Sequence, residues 1–240
     1  MAEQFSDKDL KELMVSYPSE GVTVRAYMVG PQARGPRAAI IVVQEWWGLN
    51  DHIKDVARRL AREGYVAIAP DLYSRLGNKV TADSSEAGKL MSTLKQEDGL
   101  KDLNATVAYL KTVDGVDARR IGVTGFCMGG SYALMLPCVN QAIKAAVPFY
   151  GQVPNPDHPL KDLAAPVLYI YGEDDGWITK ADVQRLANAL KKYGKVGEIK
   201  TYPDAPHAFF NDTRKDVHKP SEAKDAWMRA IAFFKQHLGA

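Results

Sequence analysis

The segment Gly125-Phe126-Cys127-Met128-Gly129-Gly130 sets a cysteine among glycines, after the β-branched run IGVTG and before SYALML. A thiol on a sharp strand-to-helix turn is the G-x-nucleophile-x-G arrangement with cysteine where serine commonly stands. Such a turn strains the backbone at the nucleophile, and its neighbours must be small so that strand and helix can approach. Gly125 and Gly129 meet that demand. At a helix N-terminus, the dipole and unpaired N–H groups favour a thiolate at Cys127. The backbone N–H of Met128 is placed to donate to a developing oxyanion. An isolated free cysteine is more often a small core hydrophobe; here strand, glycines and helix together favour chemistry. Cys138 has no such setting. A helix rising ~1.5 Å per residue puts it about 16 Å from Cys127, beyond disulfide reach.

A sulfur or oxygen nucleophile needs a base, and the base needs an orienting acid. With this kind of turn the acid and then the histidine follow the nucleophile in the chain. Of the five histidines, His207 in DAPHAFF stands directly after the last expected strand, with Ala208, Phe209 and Phe210 to pack behind it. His52 begins a helix, His158 lies in a proline-rich loop, and His218 and His237 precede or end the final helix. The acid is expected after PVLYIYG, where Glu173, Asp174 and Asp175 stand together; chain order leaves all three open.

These residues need a scaffold that brings distant loops to one edge. Residues 22–29 alternate and predict a partly exposed strand, while 38–44, 65–70, 120–125, 143–150 and 166–172 predict buried strands rich in Val and Ile. Residues 198–202 predict a weaker last strand. Between them, Ile53, Val56, Ala57, Leu60 and Ala61 form an apolar stripe at helical spacing, with Asn50 or Asp51 placed to cap it. Leu90 to Leu110 predicts a long helical region broken near Gly99, and further helices centre on Leu186 and Ile231. Strands alternating with helices give an α/β fold with a mostly parallel sheet covered by helices on both faces. No linker composition divides residues 1–240, so one domain is expected. Ligands collect at the carboxyl ends of such strands.

Composition narrows the function classes. Apolar residues make up 46% and charged residues 25% of the chain, and the net charge of +2 comes with no dense basic run. A nucleic-acid partner is therefore not expected. The longest apolar run, Ala38 to Val43, is too short for a bilayer, and MAEQFSDKDLKELM lacks a signal peptide's apolar centre. A cytoplasmic location without membrane association is expected, and two cysteines make no disulfide framework.

Together GFCMGG, QEWWG, PDLYSR, GEDD and PHAFF, agreeing in order and spacing from about Gly21 to His237, resemble the dienelactone hydrolase (carboxymethylenebutenolidase) family. The resemblance implies an α/β-hydrolase fold, a Cys-Asp-His triad, and no metal or cofactor. It implies Cys127 as nucleophile, His207 as base and Asp175 as acid, three residues after Gly172. It also assigns Glu45, beside the thiol, to hold or accept its proton until a substrate anion changes the local field. The N–H of Trp46 is then the second oxyanion donor. Substrates of the family carry a carboxylate held by arginines, which implies Arg75 as one anchor. The other arginine position, four residues after the histidine, holds Asn211, with Arg214 nearby as a replacement. Trp47, Trp177 and Tyr150 are expected to line an apolar pocket. The implied activity is opening of a small carboxylate-bearing lactone or ester, in the family's own case a dienelactone opened to maleylacetate in aromatic degradation. A broader small-ester hydrolase and a non-catalytic binding protein on the same fold are the alternatives. A monomer or weak homodimer is expected.

Overall fold

Residues that are apolar on both faces build the centre of the molecule. β3 (Arg37–Val43), β5 (Val116–Phe126) and β6 (Ile143–Phe149) are almost wholly buried beyond their first residues. Such strands suit a sheet covered on both sides. In the computed structural model, residues 5–33 and 35–239 are described; the first four residues of the polar N-terminal stretch lie outside them. One eight-stranded sheet runs in the order β1-β2-β4-β3-β5-β6-β7-β8. β2 (Val22–Pro31) is antiparallel to both β1 (Leu10–Ser19) and β4 (Val66–Pro70), and every other pairing, through β7 (Val167–Asp174) and β8 (Gly197–Pro206), is parallel.

Helices cover both faces. α1 (Asp51–Arg62) and α6 (Pro220–Leu238) share one, joined by Lys235 Nζ to Glu63 Oε2 at 2.9 Å. α3 (Gln96–Leu110) and α4 (Met128–Val139) pack together on the other. Asn50 caps α1, its side chain accepting from Ile53 N at 3.1 Å. Among the described residues no helix is long and apolar enough to cross a membrane.

Two features depart from the sequence expectation. The predicted sheet lacked β1, an edge strand exposed along most of its length. Leu10 and Tyr17 anchor it, Tyr17 by a 2.7 Å bond to Thr106 Oγ1 and a ring stack 4.7 Å from Tyr109. The long helical region breaks at Leu94-Lys95, between α2 (Ser84–Thr93) and α3, rather than at Gly99. Gly99 lies inside α3, where a Cβ would stand 2.6 Å from ring atoms of Tyr132. The glycine admits a helix contact and ends nothing.

Candidate active site

The turn between β5 and α4 puts Cys127 at φ 56°, ψ −119°, a conformation that disfavours a side chain. Close packing holds it there. A Cβ on Gly125 would lie 2.1 Å from the Gly129 carbonyl oxygen, and one on Gly129 would lie 2.2 Å from that of Val43. Cys127 N also donates to Phe149 O at 3.2 Å, tying the turn to β6. Cys127 is 7% exposed, and the backbone N–H groups of Met128 and Trp46 lie near enough to its sulfur to favour the thiolate. Burial pushes its pKa up, the charge of Glu45 adds to that, and the two N–H donors only partly oppose it. The thiolate expected from the helix N-terminus alone is thus outweighed by desolvation. The resting group is a thiol.

β7 and β8 deliver the next pair. Asp175, the residue after β7, accepts from Trp177 N at 2.7 Å and Ile178 N at 2.8 Å through Oδ1. Its Oδ2 meets His207 Nδ1 at 2.7 Å. Of the three carboxylates left open by chain order, Asp175 is the one that reaches the histidine; Glu173 pairs with Lys180 at 3.0 Å and Asp174 is exposed. A carboxylate there fixes Nδ1 as the protonated nitrogen, leaving Nε2 as an acceptor. Nε2 is buried and bonds to none of the described groups. The ring is braced edge-on by Trp177 at 5.2 Å and Tyr150 at 5.0 Å between centroids. Ala208, Phe209 and Phe210 are buried behind it, as their pattern predicts.

A cavity of about 220 Å³ joins these groups, lined by Cys127, His207, Glu45, Trp46, Trp47, Met91, Trp177, Ala208 and Arg214. Glu45 is 1% exposed and accepts from Asn211 Nδ2 at 2.7 Å. Asn211 is fixed in turn, its Oδ1 receiving Thr213 N at 3.0 Å and Thr213 Oγ1 at 2.6 Å. Burial lifts the Glu45 pKa to about 7, against the opposing pull of Asn211, His207 and Arg214. Tyr73 Oη bonds to Trp46 O at 2.9 Å and steadies the loop that presents the Trp46 N–H.

Two expected substrate contacts are placed elsewhere. Arg75 does not line the cavity: Nε and Nη2 grip Asp102 at 3.0 and 2.8 Å, and Nη1 donates to Glu20 O at 2.9 Å. Asp102 has no exposed side-chain surface, so its charge holds the guanidinium away from the site. Tyr150 is fully buried beneath His207 and supports the ring instead of facing the cavity. Arg214 is the guanidinium at the cavity, with Nε and Nη2 on Asp216 at 3.1 and 2.5 Å. Met91 was legible only as part of a helix stripe, and the Asn211–Glu45 contact joins residues 166 apart in the chain.

Strand order, crossover pattern and the cysteine-bearing turn define an α/β-hydrolase. The family model described as "Dienelactone hydrolase family" matches residues 24–238. The chain belongs to the dienelactone hydrolase family. It is 40% identical over 238 residues to the "Putative carboxymethylenebutenolidase" of Escherichia coli K12, covering 93% of this chain and 86% of that one. The protein of the same name from Methylorubrum extorquens is 37% identical over 234 residues, covering 93% and 80%. The crystal structure of a "Putative Dienelactone Hydrolase" from Klebsiella pneumoniae superposes with a TM-score of 0.89 at 38% identity, covering 95% and 99%.

Proposed function

We propose that this hydrolase uses Cys127 to open a small, carboxylate-bearing lactone or ester. The observation that carries the reading is the oriented Asp175–His207 pair, whose histidine lines one cavity with Cys127. As substrate enters, the thiol proton passes to His207 Nε2 and the sulfur attacks the carbonyl carbon. The oxygen that gains charge takes the Trp46 and Met128 N–H groups, each such donor contributing about 3–4 kcal/mol in comparable sites. The tetrahedral intermediate collapses, the enolate or alkoxide leaves with the proton from His207, and Cys127 carries the acyl group as a thioester. Water then attacks, losing its proton to Nε2, and the carboxylic acid departs as the thiol is re-formed.

Asp175 supports both halves by stabilising the imidazolium and fixing its tautomer. Glu45, its pKa lifted to about 7 by burial against the pull of the Asn211 amide, is a local proton store that opposes an idle thiolate when ionised and permits it when protonated. Arg214, expected as the replacement for the arginine absent at Asn211, is the carboxylate anchor, and Arg75 is not one. Turnover of a dienelactone, beside p-nitrophenyl acetate, by wild type and Cys127→Ser tests the reading. Efficient lactone opening that collapses in the variant is expected; an undiminished rate overturns it.

A further inference from the structure

A groove of about 520 Å³ opens beside the Cys127 cavity, and the two have Trp46, Trp47 and Arg214 in common. Asn50, Thr81, Ala82, Ser84, Asn211 and Thr213 complete its lining. The Cys127 cavity alone, at about 220 Å³, falls below the roughly 300–1,000 Å³ of ordinary ligand sites. A substrate confined to it is a small ring with its substituents and no more. We propose that the groove is a second substrate subsite, taking a flat, anionic aryl extension of the ester or lactone, its ring on Trp47 and its carboxylate on Arg214. This rests on Cys127 as the nucleophile and names the substrate class that the same site prefers.

The lining has the chemistry for such a group. Two indoles offer flat apolar faces, three hydroxyls offer polar contacts, and the described lining carries a guanidinium and no carboxylate. Arg214 is braced rather than neutralised. Its partner Asp216 is an exposed carboxylate, with side chains 39% and 61% accessible, and such pairs hold weakly in water. A guanidinium carries five N–H donors, enough to keep Asp216 and accept a second carboxylate.

The neighbouring cavity on the Trp177 side differs, since the carboxylate of Asp182 lines it. It has a volume of about 580 Å³ and shares Trp177 alone with the Cys127 cavity. Its arginine, Arg185, is spent on Asp182 and on the carbonyls of Val153 and Pro154. An anionic extension is therefore drawn to the Arg214 side.

Calorimetric titration with biphenyl-4-carboxylate tests the subsite without requiring turnover. Ala82 is exposed and outside any helix or strand, so a bulky residue there fills the groove without disturbing an element. Ala82→Trp is expected to weaken binding about tenfold or more, a loss equivalent to at least one good contact. Gln152→Trp, in the cavity on the Trp177 side, is expected to leave it within about twofold. In turnover, the acetate ester of 4′-hydroxybiphenyl-4-carboxylate is expected to exceed phenyl acetate about tenfold in kcat/KM, and the preference to collapse in Ala82→Trp. Binding unchanged by Ala82→Trp, or weakened by Gln152→Trp instead, overturns the subsite whatever the turnover. Failure of wild type to cleave either ester, with the binding difference intact, supports the subsite and removes the role of Cys127.

Discussion

Replacing Glu45 by glutamine should stabilise the protein in alkaline solution and not in acid. Burial outweighs the Asn211 amide that donates to this carboxyl, so the folded chain holds its proton up to about pH 7, whereas the unfolded chain releases it near 4.5. Between those values the folded state binds more protons than the unfolded one, so this group's contribution to stability falls as pH rises. The loss is complete above about pH 7. At 1.36 kcal/mol for each pH unit, the gap comes to about 3 kcal/mol. Glutamine has nearly the same shape, can keep the Asn211 contact and never ionises. Its advantage over wild type should therefore be near zero at pH 4.5 and about 3 kcal/mol at pH 9. For a chain of this length that is roughly 6–12 °C in Tm. Urea unfolding of both proteins from pH 4.5 to 9 measures the difference directly and cancels the other titrating groups. A difference that is flat with pH, or that favours wild type at pH 9, refutes the burial argument.

Three further substitutions test particular contacts. Arg75→Ala should cost about 3–5 kcal/mol in urea unfolding by leaving Asp102 buried and unpaired, while the folded variant keeps KM for an anionic substrate; a raised KM with normal stability would restore Arg75 as an anchor. Asp175→Asn should lower kcat by about 10³–10⁴ with little change in KM. Its Oδ1 must still accept from Trp177 and Ile178, so the new amide turns toward Nδ1 and forces the proton to Nε2; steady-state kinetics that match wild type would discount the pair. Gly99→Ala improves helix propensity yet should destabilise the fold by about 1–3 kcal/mol, because the added methyl meets the Tyr132 ring. A Tm at or above that of wild type would contradict that packing.

What the sequence shows and what it hides divide along physical lines. The Cys127 turn was legible because strand periodicity, glycine spacing and the following helix all demand the same backbone. The buried strands were legible for a similar reason, since both faces require apolar residues. β1 was not, because an edge strand with most side chains in water carries no alternation to find. Gly99 was misread because a glycine that admits a neighbouring ring has the same letter as one that ends a helix. Arg75 sits beside a residue pattern that does lead to the site, but a long side chain follows its charge partner, and Asp102 lies 27 positions away. The same blindness hid the Asn211–Glu45 contact and the victory of burial over the helix dipole at Cys127. These depend on which surfaces close over one another, which spacing along a chain does not record.

Trapping the acyl intermediate tests the role of Cys127 most directly. Wild type mixed with p-nitrophenyl acetate, quenched in acid within the first turnovers and mapped by peptide mass spectrometry, should carry one acetyl group on the peptide that contains Cys127. Cys127→Ala should carry none and show no turnover. An acetyl group on Cys138, or steady turnover by Cys127→Ala with no adduct, contradicts the account.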